Sequence, residues 1–340
     1  MRRVTIDDIA KHAGLSVATA ERVINDRGNF SDADRDKVTT AAKALGYAGL
    51  SAPISASSRS RLNFEFFIPV RSSAFILSLT EAIQKAPLAF VDVDISVQVR
   101  PTPFGDGTDI INALDALNPE NIDGVAVFSA DFPSVQQAID RTMKRGIAVV
   151  TLVSNVSSGC HRFVGIDNMS AGRIAGSLLG RFATGKTGKI ALVLGAMSVR
   201  DQVERHLGFC QVIKRVNPTL ELLPPFEGKS SNNANRNYLS KLLAERDDVV
   251  GLYSMAAGNT GLLEALNGID RANRPITVVH DLSPDVKKAL VREEIDAVIG
   301  QDVDHISRSA MRILKAIREK AMIIESQEKI RIDIYLSHSI

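Results

Sequence analysis

The chain has 340 residues, 45% hydrophobic and 24% charged, ordinary globular usage that excludes a disordered, collagenous or coiled-coil chain and predicts two or three domains. No apolar run approaches the roughly 20 residues that cross a bilayer, the start MRRVTIDDIA lacks an apolar signal region, and Cys160 and Cys210 make neither a disulfide framework nor a zinc site, so a cytoplasmic location is expected. Of the 41 Lys/Arg and 39 Asp/Glu, ten and seven fall within residues 1–61, leaving 31 and 32 beyond; the small positive excess sits at one end, the asymmetry of a nucleic-acid-binding head on a neutral body.

Residues 5–47 predict three short helices. Thr5 caps the first, with Asp7 and Asp8 complementing its dipole, and Ile6, Ile9, Ala10 and Ala13 form one apolar face. Gly14 breaks the pattern, and Ser16 caps a second helix running to Ile24. A turn cluster, Asn25 to Asn29, leads to Ser31 and Asp34, a capping box for a third helix that turns Val38, Ala41, Ala42 and Leu45 inward and ends at Gly46. Residues 49–61 are Ser-, Ala-, Gly- and Arg-rich without apolar period, the composition of a linker.

Residues 62–340 alternate between strands and helices. Apolar strand candidates are Phe64–Val70, Val91–Val99, Gly124–Phe128, Ala148–Val153, Ile190–Leu194, Val249–Tyr253, Thr277–His280 and Ala297–Ile299. Amphipathic stretches of 8–16 residues lie between them, among them Ala171–Phe182, Val203–Val216 and Ile306–Ala321. This alternation means βαβ units and parallel, doubly wound sheets. The strands are too many for one sheet of ordinary size, so two α/β lobes are expected, dividing near Val164–Asp167. The domain reading is therefore 1–48 for the helical head, 49–61 for the linker and 62–340 for the two-lobed body.

The string Thr5 to Asn25 has the physics of a helix-turn-helix. Ala10 permits a steep helix crossing and Gly14 turns the chain, while Leu15, Ala20 and Val23 pack inward. Val17, Ala18, Glu21 and Arg22 are left on the outer face of the second helix, where base edges in a major groove are read. The pieces V-T-I-D-D-I-A, A-G-L-S, T-A-E-R-V-I-N and L-G-Y resemble the headpiece of the LacI/GalR family of bacterial transcription regulators. The body resembles that family's effector domain, which is similar to periplasmic sugar-binding proteins, so the resemblance covers nearly the whole chain.

The resemblance implies a homodimer, paired through the side of the first lobe and gripping a pseudopalindromic operator, with a sugar-like effector between the lobes shifting DNA affinity, no cofactor and no membrane partner. It places Val17, Ala18 and Arg22 at base-selecting positions, and Thr5, Ser16, Thr19 and Asn25 at phosphates. Val17 and Ala18 offer apolar contact to a thymine methyl and Arg22 a bidentate bond to guanine, whereas Glu21 departs from the family's small polar residue. The linker departs from the family pattern P-N-x-x-A-R-x-L, with Leu50, Pro53 and Ala56 at its Asn, Ala and Leu; Ile54 is the expected minor-groove wedge.

Polar residues recur after successive strands, where open α/β sheets bind ligands: Asp131, Arg200, Asn259, Asp281 and Gln301. With Phe75 as a stacking platform, this set resembles the hydroxyl-binding set of pentose- and hexose-binding relatives. A nucleobase, a phosphorylated metabolite or a protein partner is the alternative effector, and a sugar-transport component the alternative class. The sign of regulation stays open. Paired carboxylates also serve glycosidases, but nothing places Asp131 and Asp281 across one bond, and no enzyme activity is expected. Gly180 to Thr187 matches G-x-x-x-x-G-K-[ST] in the wrong order, helix before strand, and is read as chance. The six histidines have no metal-ligand spacing.

Overall fold

The computed structural model describes residues 4–24, 30–45, 47, 61–70, 73–103, 105–157, 159 and 161–340, in two compact units divided after Ser60. In the first, α1 (Ile6–Ala13), α2 (Val17–Ile24) and α3 (Asp32–Ala44) enclose Ile9, Ala10, Ala20, Val23, Val38, Ala41 and Ala42. The caps follow the sequence. Thr5 N–H donates to Asp8 Oδ2 at 3.0 Å while Asp8 N–H donates back to Thr5 Oγ1, and Gly14 ends α1 at φ 67°, a conformation glycine adopts without strain. Ser31 Oγ accepts from Asp34 N–H at 3.1 Å. The expected turn at Asn25–Asn29, the stop at Gly46, the wedge Ile54, and Cys160 lie outside the described residues.

The second unit is a two-lobed α/β body. Its first sheet takes β1 (Arg61–Pro69), β2 (Asp94–Thr102), β3 (Gly124–Val127), β4 (Ala148–Leu152) and β5 (Arg162–Val164) in the order β2-β1-β3-β4-β5, every pair parallel. Between these strands run α4 (Ala74–Lys85), α5 (Thr108–Asp115) and α6 (Pro133–Lys144). The chain then crosses through α7 (Asn168–Phe182) into β6 (Gly188–Leu194), α8 (Arg200–Val216), β7 (Leu220–Leu222), β8 (Phe226–Glu227), α9 (Asn232–Glu245), β9 (Val249–Ser254), α10 (Asn259–Leu266), β10 (Ile276–His280), α11 (Pro284–Val291) and β11 (Ala297–Gln301). From β11 the helix α12 (Val303–Glu319) returns to pack on α4, β3, β4 and β5. The chain then closes on β12 (Ile332–Tyr335), antiparallel to β11.

The second sheet reads β12-β11-β10-β9-β6-β7, with β8 also pairing β6; its parallel strands β7-β6-β9-β10-β11 repeat the order of the first sheet, so both lobes are doubly wound with a switch point at the carboxyl ends of their central strands. The eight apolar runs became strands. The segments that sequence reading passed over are α4, the single turns Ala86–Ala89 and Glu325–Glu328, and the short strands β5, β7, β8 and β12, these strands lying at or beside sheet edges with half-exposed patterns. The second strand begins at Asp94 rather than Val91, because Val91 lies in a bend and is exposed.

Glycines set the closest packing in the second lobe. A Cβ on Gly172 of α7 would stand 2.0 Å from the Arg205 carbonyl oxygen of α8, and one on Gly208 2.1 Å from the Met169 carbonyl oxygen. The two helices therefore touch backbone to backbone, and the contact fixes the turn of α8 that carries Arg205.

Candidate functional site

The α2 face of the head presents Val17, Ala18, Glu21 and Arg22 to solvent, while Ala20 and Val23 are buried beneath. Arg22 folds its Nε–H onto the Ala18 carbonyl at 3.1 Å. Thr5 and Ser16 cap their helices, Ser16 Oγ accepting from Thr19 N–H at 3.1 Å. Two capped helix starts thus hold backbone N–H groups and hydroxyls at the surface, the donors that phosphates take. Asn25 lies outside the described residues.

In the body, a cavity of about 60 Å³ lies between the lobes at the two switch points. The first lobe contributes Phe75 at the start of α4, Phe128 after β3 and Val153 after β4; the second contributes Asp201, Gln202 and Arg205 of α8, Asp281 after β10 and Gln301 at the end of β11. Val153 and Asp281 have φ of 63° and 66°. Left-handed backbone is costly at the β-branched Val153 but is tolerated by an aspartate, and both positions line the cavity.

Arg205 is the buried cation of the cavity, 2% exposed. Its Nε–H donates to Asn168 Oδ1 at 2.9 Å and its Nη1 to the Met255 carbonyl at 2.7 Å. Among the described residues its Nη2, 3.9 Å from Asp201 Oδ2, has no hydrogen-bond partner, and neither do Asp201 Oδ1 and Gln301 Oε1. Buried polar atoms are ordinarily paired; these three, one donor and two acceptors, stand unpaired among the described residues around one cavity. Burial pushes the Asp201 and Asp281 carboxyls above the ordinary range, against the pull of the Arg205 charge.

Asn259 stands behind the wall rather than in it. It accepts from Ser254 Oγ at 2.7 Å and donates to the His280 carbonyl at 2.9 Å, tying β9 to β10 and fixing the chain just before Asp281. His280 Nε2 lies 2.8 Å from Tyr253 Oη in the buried core.

Asp131 and Arg200 meet each other instead of lining the cavity. Arg200 Nη1 is 3.4 Å from Asp131 Oδ2 and also donates to Ser157 Oγ, while Arg200 Nε donates to Glu204 Oε1 at 2.8 Å. Burial raises the Asp131 pKa, but hydrogen bonds from Ser157 and Gln136 and the Arg200 charge outweigh it and hold the carboxyl below its usual range. Of the six residues expected at the effector, the structure brings Phe75, Asp281 and Gln301 together on the cavity wall. Asp201, which with Arg200 follows the Ile190–Leu194 strand in the sequence, lines the cavity as well, and Gln202 and Arg205 join it unannounced, although the i, i+4 spacing of Asp201 and Arg205 at a helix start was a usable signal.

The match to G-x-x-x-x-G-K-[ST] spans the end of α7 and the loop into β6, so no helix start faces its glycines. Among the described residues no helix is long and apolar enough to cross a membrane, and no group of three His, Cys, Asp or Glu is placed to hold a metal.

A family model described as bacterial regulatory proteins, lacI family, matches residues 5–49, and one described as a periplasmic binding protein domain matches 64–321. Among curated proteins, the sucrose operon repressor of Lactococcus lactis subsp. lactis is 35% identical over 83 residues, 24% of this chain and only 26% of that protein. Catabolite control protein A of Streptococcus mutans serotype c is 24% identical over 344 residues, 99% of this chain and 96% of that one. Among solved structures, a glucose-galactose binding protein from Geobacillus stearothermophilus superposes with a TM-score of 0.72 at 16% identity, covering 83% of this chain and 99% of the other, a likeness of fold.

Proposed function

The chain belongs to the lacI family of bacterial regulatory proteins, its body being a periplasmic binding protein domain, and from that premise we propose that it is a sequence-specific DNA-binding repressor controlled by a sugar or sugar alcohol held between its lobes. The observation that carries the effector half is the ring of unpartnered buried atoms on Asp201, Arg205 and Gln301 around the interlobe cavity. Hydroxyls both donate and accept, and so satisfy such a mixed set; Phe75 supplies the apolar platform. The cavity volume is small beside the several hundred Å³ of ordinary ligand sites, so occupancy by a sugar ring is coupled to movement of the lobes.

In this reading Arg22 reads a guanine, Val17 and Ala18 contact thymine methyls, and Thr5, Ser16, Thr19 and Asn25 hold phosphates, with Ile54 as the wedge. A homodimer presents two heads to half-sites about one helical turn apart or a multiple of it. The partners are thus operator DNA, the effector and a second copy of the chain, in the cytoplasm, with no catalytic role. The sugar operon repressors among the relatives favour this effector over a nucleobase, phosphorylated or protein one.

The test selects a DNA sequence from a random pool with the full chain, then follows its binding by fluorescence anisotropy against a panel of sugars and polyols. The expected result is salt-sensitive, sequence-selective binding that one ligand class shifts by about 5- to 150-fold. Failure to enrich any sequence overturns the DNA half; enrichment without a ligand response overturns the effector half.

A further inference from the structure

Gln202 follows Asp201 on α8, is 7% exposed and lines the interlobe cavity. Its side chain is a primary amide, with a donor end and an acceptor end that a half-turn about the last bond exchanges. Main-chain groups at the end of β6 settle the orientation. Oε1 accepts from Gly195 N–H at 2.6 Å and from Ala196 N–H at 3.1 Å. The reversed amide would set its NH2 against two backbone donors and leave both unpaired, which is costly at a buried site. The two lone pairs of Oε1 are thus used inside the protein, and what Gln202 has left to offer is Nε2, which only donates.

Gly195 makes the space for this amide. A Cβ there would stand 2.9 Å from Gln202 Oε1, 3.1 Å from Nε2 and 2.8 Å from Ser230 Oγ. The missing side chain lets the amide and the hydroxyl converge, and both residues line the cavity. The Ser230 side is tied down as well, because Lys229 N–H donates to the Gly195 carbonyl at 2.9 Å. Gln301 is held in the reverse sense. Its Nε2 donates to Asp281 Oδ1 at 3.4 Å, and its Oε1 has no partner among the described residues. One amide of the wall offers N–H and the other C=O.

We propose that Gln202 is a direct, specificity-determining contact of the effector, donating from Nε2 to a ligand oxygen that must accept. The inference rests on the sugar-effector reading and deepens it. A hydroxyl can serve either glutamine, but only in the sense each amide dictates, so Gln202 fixes the direction in which one ligand hydroxyl is hydrogen-bonded.

The variant that isolates this role is Gln202→Glu. It has the same shape, keeps an oxygen for Gly195 and Ala196 N–H, and replaces only the donor with an acceptor. Two backbone N–H bonds favour the ionised carboxylate, which has no hydrogen to give. Isothermal titration calorimetry of the full chain uses ribose, xylose, arabinose, glucose, galactose, fructose and sorbitol, followed by the monodeoxy derivatives of whichever binds. Gln202→Glu is expected to bind that sugar about tenfold or more weakly, with a urea midpoint near that of the parent protein. One monodeoxy derivative is expected to bind the parent about fivefold or more weakly than the sugar does, yet to bind Gln202→Glu no worse than the sugar does, the coupling a direct contact produces in a double-mutant cycle. A merely structural role lowers all derivatives alike. If circular dichroism shows Gln202→Glu unfolded, Gln202→Met is read through the same cycle. Unchanged affinity, or a loss uniform across the deoxy series, overturns the contact and leaves the sugar effector standing. No binding by any of the sugars overturns both.

Discussion

Arg200 of the second lobe places its Nη1 3.4 Å from Oδ2 of Asp131 in the first, an ion pair that bridges the lobes beside the cavity. Both side chains are partly exposed, so the pair is a modest one. Its place makes it a clasp: formed when the lobes approach, and lost when they part.

Arg200→Gln is therefore expected to weaken ligand binding about two- to fivefold, with the difference from the parent protein shrinking as salt is raised. Calorimetry at low and high ionic strength checks this. Abolished binding would instead make Arg200 a direct ligand.

Arg205→Ala is expected to act differently. It leaves Asn168 Oδ1 and the buried Asp201 without their cation, which costs about 2–4 kcal/mol of stability and eliminates the effector response. Urea unfolding and the anisotropy assay measure the two effects separately; an undiminished response in the folded variant would remove Arg205 from the site.

Gly172→Ala tests the backbone contact of α7 with α8. The new methyl would stand 2.0 Å from a main-chain oxygen, and overpacking of this kind costs about 1–3 kcal/mol or more. Gly105→Ala, with nothing within 4 Å of the added carbon, is expected to stay within about 0.5 kcal/mol of the parent. Equal thermal midpoints for the two variants would refute the close crossing.

His280 predicts the acid limb of stability. Burial, aided by the Arg205 charge, holds its pKa well below the ordinary 6.5, so the folded state binds fewer protons than the unfolded state beneath that pH. Its contribution is present above pH 6.5 and is lost as pH falls toward the depressed value. Asp201 and Asp281, raised by burial from 3.8, have the opposite slope: they favour the fold most below 3.8 and lose that contribution as pH rises through their raised values. His280→Gln should flatten the fall in unfolding free energy just below pH 6.5, measured by urea titration across that range; an unaltered slope would assign it to other groups.

Arg22→Ala is expected to weaken binding to the selected DNA by about 1–3 kcal/mol and to relax the preference at one base pair. Repeating the selection with the variant checks both. A uniform loss across sequences would make Arg22 a phosphate contact instead.

The elements with strong periodicity or chemical punctuation were legible in the sequence. The Thr5–Asp8 and Ser31–Asp34 boxes are local, and seven of the eight recognised strands are buried apolar runs inside their sheets, with β2 alone at an edge. The strands β5, β7, β8 and β12 are short and sit at or next to sheet edges, where pairing rather than composition makes a strand. The site was harder for the same reason. Position after a strand brought Asp131 and Arg200 into consideration, but it cannot distinguish a side chain aimed at the cavity from one aimed at its neighbour. That distinction lies in the angle of α8, where Arg200 and Arg205 differ by little more than one helical turn, and the glycine contact with α7 sets it.

The return of α12 to the first lobe has a consequence for synthesis. The strands of that lobe are complete once Val164 has left the ribosome, yet Ile306, Ala310, Met311 and Leu314, which cover part of that sheet, are made far later. Until then an apolar face stays open to chaperones and to other nascent chains. The first lobe finishes after the second has been translated, so a chain cut short before Val303 yields two incomplete halves rather than one sound lobe.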